Sequence, residues 1–206
     1  MEQDFPGNTP AFYVISAPPG YKVFLNFSQF VCLAKDCSDK INIYDGVNKS
    51  AALLATVCIN QPLPVLVSSS SFLLLEYITA APGQSSFSGS YSSVKYGGTY
   101  TSPGYINSPS TPDSTPAVYA IIAPPGYKIL LTFLSLNIKL SSKCTKASLV
   151  VKDVGSLVTP KSNVYCGLNA VIAKLTLTFS GRMVLLQFFS NSDANNSFKA
   201  IYNFTK

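Results

Sequence analysis

The residues that could do chemistry in this chain are few, and their types restrict what that chemistry can be. The 206 residues include five Cys, nine acidic side chains and no His. Without an imidazole, the Ser–His and Cys–His pairs of nucleophilic enzymes cannot form, and the commonest neutral metal ligand is missing. The acidic residues include no close pair within an apolar segment apart from Asp36 and Asp39, which we interpret as loop residues beside Cys37. The composition therefore predicts a non-catalytic protein without a metal or a cofactor.

Four of the cysteines form two similarly spaced pairs, Cys37/Cys58 and Cys144/Cys166. Because CxxC spacing and His ligands are absent, one disulfide in each half of the chain is a better interpretation than a zinc site. Each bridge would close a loop of about 22 residues and stabilise the fold by roughly 3 kcal/mol. The fifth cysteine, Cys32, is predicted to be a buried thiol, with an interchain bridge or another partner within its domain as alternatives.

Four Asn-X-Ser/Thr sequons agree with the oxidising, extracellular compartment that disulfides require. In two of them, strand alternation points the Asn away from the apolar face, whereas the other two lie in polar, turn-like stretches. All four are therefore predicted to be accessible N-glycosylation sites: Asn26, Asn48, Asn195 and Asn203.

The net charge of +6 is unevenly divided along the chain. Residues 1–95 carry five Lys against six acids, a net charge of −1, and residues 96–206 carry nine Lys and one Arg against three acids, a net charge of +7. A single Arg and scattered Lys residues disfavour a nucleic-acid partner and favour an acidic glycan or protein. One Lys cluster has no acid within it and is either a solvated loop or a patch for an anionic partner: Lys139, Lys143, Lys146 and Lys152. No apolar run approaches the roughly 18–20 residues that would span a membrane.

The elements that position these residues belong to an internal repeat. Residues 9–27 and 115–133 are identical at thirteen of nineteen positions. Short alternating segments, separated by Pro-Pro-Gly, Asp-Gly and Ser clusters, indicate strands throughout. We predict an all-β protein of two tandem sandwiches, residues 1–95 and 96–206, and equivalent buried positions in the two copies: Tyr13, Leu25, Phe27, Tyr119, Leu131 and Phe133. Phe24 and Leu130 are equivalent outward-facing residues and are candidates for assembly contacts.

The sequence resembles the CUB domain family through several short motifs in the right order. These are the Gly-Gly and Ser-Pro-x-Tyr elements of residues 97–105, the aromatic, Pro-x-Gly and aliphatic-x-Phe motifs of both copies, the Asp45-Gly46 turn, the closing Phe-x-Ala-x-Tyr of residues 198–202 and the two cysteine pairs. The resemblance implies antiparallel, jelly-roll-type sandwiches in an extracellular, secreted protein. It also exposes two departures.

The first departure is that the family's first disulfide is missing from both copies. The position of its first cysteine is occupied by Ala11 in the first copy and by Ala117 in the second. The second is the acidic calcium site of many family members, whose positions correspond to Leu33, Asp39 and Ala80 or Ala81 in the first copy and to Lys139, Lys146 and Asn191 in the second. With one or no oxygen ligand left, neither copy is expected to bind calcium.

Two functions fit these observations. The first is an interaction or adhesion module that binds another protein or a glycan, and the second is a structural subunit that self-assembles into an extracellular filament or matrix. Only eight residues precede Thr9, which predicts an incomplete first sandwich with an open strand edge. The alternatives are a trimmed chain and a first domain that folds with a shorter edge. Pairing at that edge, together with the charge difference between the copies, would favour a homo-oligomer or a head-to-tail filament.

Overall fold

The protein is described by a computed structural model that covers residues 10–33, 36–80, 85–155, 162–167 and 175–206. These residues form strands joined by turns, with one short 3₁₀ turn at Ser142–Cys144, and the predicted all-β class is confirmed. The strands of the first copy are β1 Ala11–Ser16, β2 Lys22–Cys32, β3 Lys40–Tyr44, β4 Leu53–Val57, β5 Val65–Val67, β6 Phe72–Ile78 and β7 Ser85–Val94. Those of the second copy are β8 Tyr96–Tyr100, β9 Gly104–Asn107, β10 Ala117–Ile122, β11 Lys128–Asn137, β12 Ser148–Asp153, β13 Ser162–Tyr165, β14 Leu175–Thr178, β15 Met183–Phe189 and β16 Ser197–Thr205.

The chain divides into two compact units, Met1–Ser93 and Val94–Lys206. The strands of the first unit form one sheet in the order β1-β6-β3-β4 and another in the order β5-β2-β7. The second unit repeats both sheets with additional strands, in the orders β13-β12-β15-β10-β8 and β14-β11-β16-β9. Strands β8 and β10 pair in parallel, whereas neighbours such as β10 with β15 and β11 with β16 pair antiparallel.

Strand alternation builds the core of each unit. Along β11, Ile129, Leu131 and Phe133 are fully buried, while the residues between them point outward. Leu25 and Phe27 of β2 are buried in the same way. Strand β10, which carries Tyr119, differs because all six of its residues are buried. The core of the second unit joins side chains from both of its sheets, which makes the unit a two-layer sandwich.

The prediction that Tyr13 is buried is wrong. Tyr13 is 36% exposed, whereas the equivalent Tyr119 is 3% exposed. In the second unit, Tyr100 of β8 stacks on Tyr119 with ring centroids 6.3 Å apart, and the Tyr119 hydroxyl donates to the carbonyl of Asn107 at 2.8 Å. Among the described strands of the first unit, only β6 pairs with β1, so no strand corresponding to β8 covers Tyr13.

Candidate interaction surfaces

Two disulfides hold the loops of the units. Cys37 is bonded to Cys58 and Cys144 to Cys166, with Cα–Cα distances of 5.4 and 5.6 Å. Cys32 lies outside both bridges and is buried at the end of β2. The second bridge links the 3₁₀ turn, which contains Lys143, to the loop after β13. It therefore positions part of the predicted basic patch.

The basic patch is divided by the fold. Lys139, Lys143 and Lys146 lie in the loop between β11 and β12, which we call the basic loop, whereas Lys152 is half-buried on β12. The sequence shows no acid within the cluster, but the loop between β15 and β16 brings Asp193 to the ammonium group of Lys139. The expectation of an acid-free patch is therefore wrong for Lys139.

The ion pair and the neighbouring hydrogen bonds connect two loops. The hydrogen bond from Lys139 lowers the pKa of Asp193, and the backbone N–H of Asn195 lowers it further. The backbone N–H of Lys139 donates to the side chain of Asn196 at 2.8 Å. Because Lys139 is compensated in this way, Lys143 and Lys146 carry the positive charge that remains exposed on the basic loop, and neither forms an ion pair with a described residue.

The backbone of the basic loop is restrained. Lys143 and Cys144 have φ values of 50° and 55°, a left-handed conformation that non-glycine residues seldom adopt. Ser141 fixes this turn, because its carbonyl accepts from the Cys144 N–H and its hydroxyl from the Lys146 N–H. The backbone that carries the two exposed lysines is therefore restrained by hydrogen bonds within the loop.

The positions of the family's calcium site have other uses in this fold. Asp39, the one acidic residue among them, is buried and accepts a hydrogen bond from the Ala80 N–H at 2.7 Å, while Leu33 is 71% exposed. Lys139 lies in the basic loop, and Asn191 lies in the loop between β15 and β16. Ala81 is outside the described residues. Within the described ranges no three His, Cys, Asp or Glu side chains come together as a metal site.

A surface that sequence reasoning missed lies on the first unit. The register of β1 with β6 puts Phe12, Val14 and Phe72 on one side of their sheet, with exposures of 52%, 54% and 39%; we call this the apolar face. The signal in the sequence is that β1, AFYVIS, is apolar at both alternating positions, whereas a strand with one solvated face is polar at every second one.

A buried carboxylate borders the apolar face. Glu76 is 2% exposed and accepts hydrogen bonds from Asn42, Tyr44 and Lys49, and the Lys49 ammonium group also lies 6.0 Å from the ring centroid of Phe12. Burial acts to raise the pKa of Glu76, but the hydrogen bonds from Asn42, Lys49 and Tyr44 outweigh it and lower the pKa below its ordinary value. The carboxylate is thus a structural anchor of this sheet.

The four sequon asparagines are all exposed, but their amides differ. Asn48 accepts hydrogen bonds from the backbone and hydroxyl of Ser50, and the side-chain amide of Asn195 donates to Asp193. Asn26 and Asn203 point outward from β2 and β16.

The predicted assembly residues Phe24 and Leu130 are half-buried on the outward faces of β2 and β11. Neither is among the strongly exposed apolar side chains of the described chain.

Family comparison agrees with this architecture. The family model of the CUB domain matches residues 1–91 and 88–202. This chain belongs to the CUB domain family. CUB domains are in general non-catalytic interaction modules, so the family supports an interaction function. In addition, no helix within the described part of the chain is long and apolar enough to cross a bilayer.

Several curated proteins are similar to the chain. Embryonic protein UVS.2 of Xenopus laevis is 27% identical over 98% of this chain, neuropilin-2 of Rattus norvegicus is 32% identical over 89%, and tolloid-like protein 1 of Mus musculus is 27% identical over 79%. The matched regions make up 40%, 23% and 17% of those proteins, so the chain spans less than half of each. Among solved structures, the CUB1-EGF-CUB2 domain of human MASP-1/3 matches 98% of this chain and 95% of that chain with 17% identity and a TM-score of 0.45, a score too low to support an argument.

Proposed function

We propose that this protein is an extracellular, non-catalytic interaction module that binds an anionic partner, an acidic protein surface or glycan, through the basic loop. The observation that carries the proposal is the pair of exposed ammonium groups of Lys143 and Lys146 on a restrained turn. The two disulfides support an oxidising, secreted location.

Electrostatics favours such a partner in two ways. The net charge of +7 on residues 96–206 draws anionic molecules towards this half of the chain over distances comparable to the Debye length, about 8 Å at physiological salt. At contact, the fixed turn reduces the entropy lost on binding, because only the Lys side chains have to be ordered.

The test is retention on an immobilised sulfated polysaccharide, eluted with salt. The double variant Lys143→Gln/Lys146→Gln is expected to elute at clearly lower salt than the wild type. The control Lys128→Gln/Lys199→Gln removes the same charge from two exposed residues of the same unit and is expected to shift elution much less. Equal shifts for the two double variants would reduce the interaction to net charge and refute the basic loop as a site.

A second candidate function, self-assembly into an extracellular filament or matrix, is favoured by the apolar face. Three large side chains that are 39–54% exposed on one sheet form the kind of surface that a second copy could bury. Light scattering at high concentration and low salt is expected to show oligomers that Phe12→Ser/Val14→Ser abolishes. Val47→Ser/Leu53→Ser, which alters two equally exposed residues of the same unit, serves as the control. A monomer at every concentration would refute this candidate.

A further inference from the structure

Two apolar side chains at equivalent positions of the repeat each have a sequon asparagine beside them. Phe24 and Leu130 occupy the same position on β2 and β11, 106 residues apart, and both point outward from their sheets. In the first unit the neighbour is Asn26, two residues further along the same strand. In the second unit it is Asn203, which pairs directly with Leu130 across β11 and β16.

The geometry of a sheet makes both arrangements close contacts. Residues two apart along a strand point to the same face and are separated by roughly 7 Å. Residues directly opposite each other on neighbouring strands have Cβ atoms about 5 Å apart. The burial pattern agrees for both sites. Phe24 and Asn26 alternate along β2 with buried Val23, Leu25 and Phe27, and exposed Asn203 follows buried Tyr202 on β16.

The amides of these two asparagines also differ from those of the other two sequons. No side-chain hydrogen bond to a described residue is found for Asn26 or Asn203. The Asn195 amide nitrogen, by contrast, donates to the Asp193 carboxylate at 2.9 Å, and the Asn48 amide oxygen accepts from the backbone N–H and the hydroxyl of Ser50. An exposed, unengaged amide beside an apolar side chain is a suitable attachment point for a sugar that needs a surface to rest on.

We propose that Asn26 and Asn203 carry N-linked glycans and that the first sugar ring of each packs on Phe24 and Leu130, respectively. The inference rests on the extracellular location proposed above. The donor is an oligosaccharide linked to a lipid diphosphate. The Asn Nδ2 forms a bond to the anomeric carbon of the sugar, the bond from that carbon to the diphosphate oxygen breaks, and the lipid diphosphate leaves as Nδ2 loses one proton.

In this arrangement, a sugar ring of the same molecule covers each of the two apolar residues, so no second protein is needed to bury them. The C–H face of a pyranose ring is apolar and of the size of one side chain, so it removes part of the Phe24 or Leu130 surface from water. The same glycans would cover these residues sterically. Phe24 and Leu130 would then be supports for glycans rather than contacts for assembly, and the apolar face on the other sheet of the first unit would remain open.

The experiment uses the full chain secreted from a eukaryotic cell line. For each site, the other three sequon asparagines are replaced by Gln, and site occupancy is measured by intact mass and peptide mapping. Thermal unfolding is then compared for protein trimmed to one sugar and for protein from which the glycan has been removed completely. The single sugar is expected to raise Tm by roughly 4 °C, and Phe24→Ser or Leu130→Ser is expected to abolish most of that difference at its own site.

Matched controls are available on the same strands. Val31→Ser on β2 and Leu134→Ser on β11 replace apolar residues that are 43% and 41% exposed, and they are expected to leave the Tm difference unchanged. Should Phe24→Ser fail to be secreted, the wild type still provides a test, because protons of the first sugar at Asn26 should show ring-current shifts in NMR spectra.

The outcomes separate this inference from the proposed function. Glycans on Asn48 or Asn195 but not on Asn26 and Asn203 would overturn the inference and leave the extracellular location intact. Sequons that are all unoccupied in the secreted chain would overturn the inference alone, whereas a chain that the cells do not secrete would count against the extracellular location. Occupied sites whose Tm difference is the same in the Ser variants and in the wild type would overturn the packing of the sugar on Phe24 and Leu130.

Discussion

The two units start from nearly the same repeat, yet equivalent residues end in different surroundings. Tyr119 is 3% exposed and Tyr202 2% exposed, whereas their counterparts Tyr13 and Tyr91 are 36% and 65% exposed. In the second unit, Tyr100 of β8 packs against both Tyr119 and Tyr202, and the Tyr202 hydroxyl donates to the Ser102 carbonyl at 2.6 Å. One short segment, residues 96–107, accounts for these contacts.

The repeat therefore determines which way a side chain points, but not which residues cover it. Alternation aims Tyr13 and Tyr119 at corresponding sides of corresponding strands. Burial depends in addition on β8 and β9, which pair with β10 and β16 in the second unit. Among the described strands of the first unit, β1 and β7 each lie at the end of a sheet.

The largest expected effect comes from Gly97, which lets β8 lie against β10. Its φ is +112°, and a Cβ there would lie 1.6 Å from the Val118 carbonyl oxygen, so Gly97→Ala is expected to destabilise the second unit by roughly 4 kcal/mol. Faster amide exchange in β10 and easier ionisation of Tyr119 in an absorbance titration would show that the second unit has lost the cover that β8 provides. Gly98→Ala is the control, because its nearest contacts are Tyr100 ring atoms at 3.7 Å, and it should cost less than about 1 kcal/mol.

The disulfides should have equal effects in the two units. Their sequence separations are 21 and 22 residues, so removing either bridge is expected to cost about 3 kcal/mol in the free energy of unfolding. Denaturant unfolding of Cys37→Ala/Cys58→Ala and of Cys144→Ala/Cys166→Ala measures this. A clear inequality would mean that one bridge also shapes the folded loops, most readily the turn at Lys143.

Glu76 should make the first unit more sensitive to acid. Because the folded-state pKa lies below the ordinary value of 4.5, the carboxylate contributes stability above that pH and loses it as the pH falls through the lowered value. Glu76→Gln, which places in the first unit the amide found at Gln187 of the second, is expected to cost about 2 kcal/mol at neutral pH and to flatten the acid dependence. Thermal unfolding between pH 3 and 7 provides the measurement.

The reciprocal variant tests whether the three donors around Glu76 are what stabilises a carboxylate at this position. Gln187→Glu places a carboxylate in the second unit without introducing Asn42, Tyr44 and Lys49, and it is expected to make that unit less stable at neutral pH than in acid. An acid dependence of the first unit that survives in Glu76→Gln would assign the effect to other groups.

The smallest effect concerns the two tyrosine hydroxyls. Tyr119→Phe removes the hydrogen bond to Asn107 in a buried site, at a cost of about 1 kcal/mol. Tyr13→Phe should cost less, because water reaches the partly exposed Tyr13 side chain. Equal costs in equilibrium unfolding would show that the exposure difference between the units does not exist in solution.

Much of the fold follows from local sequence. Alternation predicts the strands and the burial of Leu25, Phe27, Leu131 and Phe133, and the repeat predicts two units of one architecture. The spacing of the cysteines predicts the bridges that the structure contains, and parity predicts the outward direction of Asn26 and Asn203. These features depend on residues close together in the chain, whose geometry the strand itself imposes.

Contacts between segments far apart in the chain could not be predicted from the sequence and became visible only in the tertiary structure. Asp193 reaches Lys139 from 54 residues away, Glu76 gathers three donors from β3 and the following turn, and Asn203 lies opposite Leu130. Each depends on strand order and register, which alternation leaves open because every register of the same parity exposes the same faces. The all-β class, the repeat and the direction of the side chains therefore follow from the amino-acid sequence. Their neighbours, and with them the candidate sites, required the pairing of strands far apart in the chain.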